Sequence, residues 1–157
     1  IYMRRKDREV LDYQEMLNIM RSCDCCRLGF IDDDSTYIVP LNFGISQKDG
    51  TITLYFHSAN VGKKLDLIKS NSCVGFEMDT KHELVKGDIA CGYSYRYQSI
   101  IGKGSIFIVD NLNEKISALD CIMQHYTNKS KWEFNSESIK RIAIIKLIVG
   151  EWSCKQH

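Results

Sequence analysis

An antiparallel β-barrel with a few added helices is the fold class that this chain of 157 residues predicts. Three observations carry the reading. Five or six segments are rich in β-branched and aromatic residues, the composition of strands. Only two or three segments show helical spacing, and they do not alternate regularly with the strands as a parallel βαβ sheet requires. The longest β-like segment, residues 89–110, is interrupted by Gly102 and Gly104, where a bend or bulge would let a long strand curve around a barrel.

The elements follow in order. Residues 7–21 read as a helix, with Val10, Tyr13, Leu17 and Met20 at helical spacing and Asp7 placed to cap its start. Residues 28–32 are a short strand closed by the acidic turn Asp32-Asp33-Asp34. That turn lacks the loop spacing and terminal Glu of a calcium-binding EF-hand, so a solvated turn is expected there. Residues 36–45, TYIVPLNFGI, form the next strand. Pro40 inside it has no N–H for a ladder, so the strand should be an edge or should bulge at that point. Lys48-Asp49-Gly50 marks a hairpin turn. Residues 51–56 are a strand that runs directly into a helix, with Asn60 as the expected N-cap and Leu65 and Ile68 on the apolar face. Residues 72–79 alternate Val74, Phe76 and Met78 on one face, and residues 80–87 read as a polar loop. Tyr93, Tyr95 and Tyr97 alternate in the long segment, as an exposed stacking platform or as the half-buried face of a sheet. Residues 111–126 are a second long helix, with Ile116, Leu119, Ile122, Met123 and Tyr126 on one side. His125 lies near its C-terminal end, where a protonated imidazole suits the helix dipole. Residues 141–151, RIAIIKLIVGE, are the closing strand.

The length suits one domain, residues 1–157, with a sizeable core, and no linker, repeat or low-complexity tract divides it. A formal net charge of +1 and no basic block beyond Arg4-Arg5-Lys6 give no reason to expect a nucleic-acid partner. No apolar run is long enough for a bilayer, and no apolar stretch follows the basic N-terminus as in a secretory signal, so a cytoplasmic location is expected. Met3 is the expected natural start, with Ile1 and Tyr2 foreign to it. The seven cysteines are odd in number, and in a cytoplasmic chain they point to no disulfide framework. Cys23, Cys25 and Cys26 have no second pair to complete a tetrahedral metal set, and small buried apolar side chains are the expected role.

The chemistry concentrates where residues 51–71, TITLYFHSANVGKKLDLIKSN, pass from strand to helix. A helix start carries unpaired N–H groups and partial positive charge. His57, Ser58, Ala59, Gly62, Lys63 and Lys64 stand at that junction. A hydroxyl, two ammonium groups and a glycine that admits close approach make a candidate anion site, with phosphate the expected ligand. The alternative is a solvated helix start with two surface lysines.

The segments YIVPLNFG, LYFHSANVGKKLDLIKSN, VGFEMD, YQSIIGKG and RIAIIKLIVGEWSCK occur in this order. Together they resemble the pyridoxamine 5′-phosphate oxidase-related split-barrel flavoproteins, and within them the 5-nitroimidazole resistance group. The resemblance runs from about Met3 to Lys155. It implies a six-stranded antiparallel split β-barrel with flanking helices that forms a homodimer and binds a flavin, FMN or alternatively FAD, at the dimer interface. The strand from Tyr37 to Asn42 matches the one whose backbone borders the isoalloxazine ring, with Ile38, Val39, Pro40, Leu41 and Asn42 as its expected flavin contacts. His57, Ser58 and Ala59 match the strand end beside the phosphate, Lys63 and Lys64 match the basic pair that holds it, and Ser99 matches a position brought by the second subunit. His57 also matches an active-site residue of the resistance group, suited to donating a hydrogen bond or proton to a substrate. The true oxidases carry basic residues where this chain has Tyr37 and Asn42, and a C-terminal arginine- and histidine-bearing motif where it has GEWSCKQH. These departures point away from pyridoxamine phosphate oxidation. The expected activity is flavin-dependent reduction of small electrophiles such as nitroimidazoles. Without a G-x-G-x-x-G turn, a nicotinamide donor would bind only transiently. A non-catalytic flavin-binding or sensing role is the alternative from another class, and haem binding through His57, His82 or His125 is a further one.

Overall fold

Alternation along the strands decides which side of the sheet becomes the interior. The computed structural model of the protein describes residues 3–157, and Ile1 and Tyr2 lie outside the described residues. The elements are β1 (Glu9–Val10), α1 (Tyr13–Ser22), β2 (Cys26–Asp32), β3 (Ser35–Leu41), β4 (Gly44–Lys48), β5 (Thr51–Ala59), α2 (Lys63–Ser70), β6 (Cys73–Val85), β7 (Ser94–Val109), α3 (Leu112–Thr127), α4 (Ser136–Lys140) and β8 (Ile142–Gln156). All strand pairings are antiparallel and form one sheet in the order β3-β2-β6-β7-β8-β5-β4, with β1 added to β8. The edges, β3 and β4, are consecutive in the chain and separated only by Asn42 and Phe43. The sheet therefore curls until its edges approach at one end, and no ladder joins them among the described residues. This is the split barrel that the resemblance implies, with eight strands rather than six among the described residues.

Leu28, Phe30, Leu54, Phe56, Phe76, Met78, Ile100, Ile106, Ile145 and Leu147 point inward and are buried. Leu17 and Met20 of α1 and Leu65 and Ile68 of α2 join that core. Helix α3 packs on the outside, where Ala118 meets Val109 and Ile144. Ile144 and Ile145 are thus buried on opposite faces of β8, which explains its unbroken apolar run.

Several local expectations are corrected. Asp7 does not cap α1: residues 6–8 form a short 3-10 turn in which Asp7 pairs with Arg5 at 2.6 Å. The cap is Asp12, which accepts from the Glu15 N–H at 2.8 Å, while Val10 pairs with Cys154 in β1. Residues 36–45 are two strands because Phe43 turns into the core, fully buried, and gives its N–H to the Tyr126 hydroxyl rather than to a ladder. The polar stretch after Asp79 stays in β6 as far as Val85, with an irregularity between Thr80 and Glu83 where Lys81 takes φ 56°. Strand β8 continues through GEWSCKQ, and the short helix α4 precedes it. Pro40 does lie on an edge strand, and Asp49 and Gly50, both at positive φ, make the expected two-residue hairpin. The glycine interruption is a register shift between β7 and β8 at Lys103/Gly104. His125 is half-buried and donates its Nε2–H to the Cys23 carbonyl at 2.7 Å. Burial pushes its pKa down, so it is held as the neutral imidazole rather than as a cation.

Gly44 sits where β4 presses on α3: a Cβ there would lie 2.5 Å from the Cys121 carbonyl carbon and from the Ile122 nitrogen. Both are helix backbone, which cannot step aside as a flexible side chain does. Gly44→Ala is expected to destabilise the fold by about 1–3 kcal/mol, the usual cost of overpacking. Chemical unfolding checks it, and an unchanged midpoint would show that α3 is not pinned there.

Candidate functional site

Strand β5 ends by sending successive side chains to opposite faces. Phe56 and Ser58 point inward, while His57 and Ala59 are exposed. Ser58 is the polar end of an otherwise apolar inner row, 8% exposed. Its hydroxyl donates to the Ala59 carbonyl at 2.9 Å and accepts from the Lys64 ammonium at 2.9 Å. A buried hydroxyl needs such partners, and they fix the reach of Lys64 across the first turn of α2.

Helix α2 starts differently from the sequence expectation. Asn60 does not cap it but donates to the Lys140 carbonyl at 3.0 Å. Gly62 occupies the N-cap at φ 141°, a backbone suited to glycine, and offers no side chain. The helices α1, α3 and α4 are each capped by a side chain, from Asp12, Asn111 and Asn135, whereas α2 has no side-chain cap. The Leu65 N–H is bonded to the Gly62 carbonyl at 2.9 Å, and no side chain caps the N–H groups of Lys63 and Lys64.

Lys63 lies 2.5 Å from the Asp32 carboxylate and 5.3 Å from the centre of the Tyr37 ring. Hydrogen bonding to Asp32 raises the Lys63 pKa. The lysines therefore differ: Lys63 is paired with a charge, and Lys64 with a neutral hydroxyl. Asp32 and Tyr37 both stand at the site; Tyr37 begins the strand that the resemblance sets beside the flavin ring, whereas sequence reasoning did not assign Asp32 to it. Asp32 read as part of a solvated turn because its partner lies 31 positions away in the sequence.

Strand β3 brings its candidates close to that junction. Tyr37, Val39 and Leu41 pack against the core, whereas Ile38 and Pro40 face outward and Ile38 is 62% exposed. Among the described residues, strand pairing occupies one side of β3 only, so its other backbone edge carries no ladder. Asn42 is exposed and donates to the Asp24 carbonyl at 3.4 Å. His57 faces away from Ser58, opposite Ile144 in register, and makes no hydrogen bond or ion pair among the described residues. Ser99 is not brought to Lys63 within one chain. It lies half-buried on β7, between Asp79 and Lys155, and lines a pocket of about 150 Å³ with Arg4, Arg5 and Lys155.

The other histidines are engaged. His82 lies 3.2 Å from Asp79, and His125 stacks against Phe43 with ring centres 4.4 Å apart. All seven cysteines are free thiols. Among the described residues, no three His, Cys, Asp or Glu side chains gather to hold a metal ion, and no helix is long and apolar enough to cross a membrane.

A search of the curated proteins finds no match. A solved structure from Bacteroides thetaiotaomicron VPI-5482, named as a candidate 5-nitroimidazole antibiotic resistance protein, is 31% identical, with 94% of this chain and 86% of that one covered and a TM-score of 0.80. An FAD and haem binding protein from Mycobacterium smegmatis shares the fold at 15% identity, with 95% and 73% coverage and a TM-score of 0.78. An FAD-binding protein from Mesorhizobium loti shares it at 20% identity, with 94% and 96% coverage and a TM-score of 0.63. The family model described as pyridoxamine 5′-phosphate oxidase matches residues 12–156, nearly the whole chain, so this protein belongs to the pyridoxamine 5′-phosphate oxidase family.

Proposed function

We propose that the protein is a flavin-dependent reductase of small electrophiles, with nitroimidazoles as its substrate class, acting as a homodimer. The observation that carries the reading is the start of α2, where Lys63 and Lys64 stand on a helix without a side-chain cap. These residues fit a flavin phosphate: two ammonium groups and N–H groups without a side-chain cap face an anion, and Gly62 puts no side chain in its way. FMN is the proposed form because its single phosphate matches this one cluster, with FAD as the alternative. The free edge and outward face of β3, from Ile38 to Asn42, would border the ring. When bound, the flavin supplies the electrons for the reduction.

Every other role falls to the chain. Lys63 and Lys64 neutralise the phosphate, and Ser58 holds Lys64 in place from below. His57, exposed and unpartnered among the described residues, is free to give a ring N–H to a nitro oxygen as negative charge builds there. A donor that binds that charge more tightly in the transition state than in the ground state lowers the barrier. The 31% identity to the candidate resistance protein supports the nitroimidazole class. The haem reading has less support, since His125 is neutral, half-buried and already bonded through Nε2.

The outer sheet face supports the dimer. Gly29, Gly75, Gly104 and Gly150 pave a mostly apolar trough of about 470 Å³. Ile31 in its lining is 59% exposed, and the nearby Ile101, close to Ser99, is 54% exposed. A symmetric dimer uses one such patch twice. Light scattering is expected to report twice the chain mass, and Ile101→Asp to shift the protein toward monomer with weaker flavin retention. A monomeric wild type with full flavin occupancy overturns this arrangement.

A charge-assisted hydrogen bond contributes about 1.5–3 kcal/mol, or roughly 10- to 150-fold in affinity. The Lys63→Ala/Lys64→Ala double variant is expected to bind FMN at least about tenfold more weakly and to bind riboflavin as before. Fluorescence titration with both ligands checks this, and wild-type FMN affinity in the double variant removes the lysines from the site.

General-acid help is typically worth about 10²–10⁴-fold. The His57→Ala variant is expected to retain its flavin and, once chemically reduced, to reoxidise with a nitroimidazole that much more slowly in anaerobic single turnover. An unchanged rate removes His57 from the mechanism. If the reduced wild-type holoprotein fails to reoxidise with nitroimidazoles, the reductase reading gives way to a binding or sensing role.

A further inference from the structure

We infer that Asp32 is a built-in competitor for the flavin phosphate, holding Lys63 until a ligand with both a phosphate and a ring displaces it. This inference rests on the proposed role of Lys63. Asp32 ends β2, and its side chain is 22% exposed. The tight β2–β3 turn anchors its backbone: Asp32 pairs with Ser35 in register, the Ser35 hydroxyl donates to the Asp32 carbonyl at 3.1 Å, and Asp33 takes φ 54°. The carboxylate is thus presented to the first residue of α2 from a rigid hairpin, and it sits 2.5 Å from the Lys63 ammonium. That is the place and the charge that a phosphate oxygen would take. Lys63 is the looser partner, its side chain 53% exposed.

Two consequences follow from the charges. The first turn of α2 carries Lys63 and Lys64 together with Asp66, and Asp32 adds a second carboxylate against the lysines, so an incoming phosphate meets a smaller positive field than the lysines alone would make. Asp32 also repels a second anion brought to Lys63. An isolated phosphate has nothing else to gain from the site. A flavin adds ring contacts along β3, whose Tyr37 already lies beside Lys63. Asp32 therefore sets a threshold on the phosphate subsite, which a flavin clears with its ring contacts and a free phosphate does not.

The pair is partly exposed, so the effect is modest: its Coulomb energy is that of a solvent-screened ion pair. Asp32→Asn is expected to tighten FMN binding about two- to tenfold and to leave riboflavin binding unchanged. The gain should shrink as salt rises to about 1 M, where the screening length falls to about 3 Å. Inorganic phosphate should compete with FMN at lower concentration in Asp32→Asn than in the wild type. Asp32→Ser provides a second route to the same loss of charge, and Asp34→Asn removes a charge from the same turn without touching the pair. Combined with Lys63→Ala, the Asp32→Asn change should tighten FMN no more than Asp34→Asn does, because only screened repulsion and no competition for Lys63 remains. If Lys63→Ala weakens FMN but both Asp32 variants leave it unchanged or weaker, Asp32 merely positions Lys63 and the competitor role is overturned. If Asp34→Asn tightens FMN as much as Asp32→Asn, the effect is general charge and the specific role also fails. If Lys63→Ala leaves FMN binding unchanged, the phosphate reading itself is wrong and the competitor role falls with it.

Discussion

The structure depends on one tight passage: the chain leaves one edge of the sheet and enters the other across Asn42 and Phe43. A linkage that short cannot span a flat sheet of this width, since the three steps from Leu41 to Gly44 reach only about 11 Å. The sheet must curl. Phe43 fills the interior at the crossing, and Gly44 lets β4 lie against the α3 backbone. Antiparallel strands normally cover one face with core and leave the other to solvent. Here curling makes the inner face continuous and leaves β3 as a free edge. The same constraint that closes the barrel also opens the backbone of Ile38 to Asn42.

Polar groups at the barrel end are organised around that closure. Ser58 is a hydroxyl where the inward row of β5 would otherwise carry an apolar side chain. It is tolerable in the core only because both its donor and acceptor functions are met. Lys64 meets one of them, so a residue that reads as a surface lysine is tied to the fold. Lys63 is tied instead to the β2–β3 hairpin through Asp32. Helix α2 is thereby fastened to two different parts of the sheet by its first two residues. Neither fastening caps the helix backbone, so the N–H groups of Lys63 and Lys64 carry no side-chain cap.

Much of this was legible in the chain, and the failures have physical causes. Period-2 burial in β5 and β6, the Asp-Gly hairpin and the edge position of Pro40 were all readable because each is set by residues within a few positions. The break at Phe43 was not, because it is imposed by Tyr126 of α3, 83 positions away. Local preference also misled at caps. Asp7 and Asn60 have good capping chemistry, but a nearby arginine and a distant carbonyl compete for their side chains. The lysine pair was visible as a cluster with Ser58, whereas Asp32 required the fold. Strand alternation could have separated His57 from Ser58 in advance, since adjacent strand residues cannot face the same side.

That separation bears on how one family fold can serve different reactions. A fold supplies a scaffold, and the site decides the chemistry. In the proposed reading the phosphate handle lies at the start of α2, and its residues are braced by the barrel end. His57 faces the opposite side of β5 and braces nothing among the described residues. A substitution at Lys64 would therefore disturb both ligand and fold, while one at His57 would change only what its outward face does to a substrate. Tyr37 and Asn42 stand where the resemblance places basic residues in the oxidases, and both are engaged here, Tyr37 beside Lys63 and Asn42 on the Asp24 carbonyl. With those charges gone, β3 itself presents no positive charge, and the lysines of α2 stand at the phosphate end. A neutral or weakly polar electrophile is then a better match to the open face of β3 than a second phosphorylated substrate. This is the physical reason that nitroimidazoles fit the proposal better than pyridoxamine phosphate.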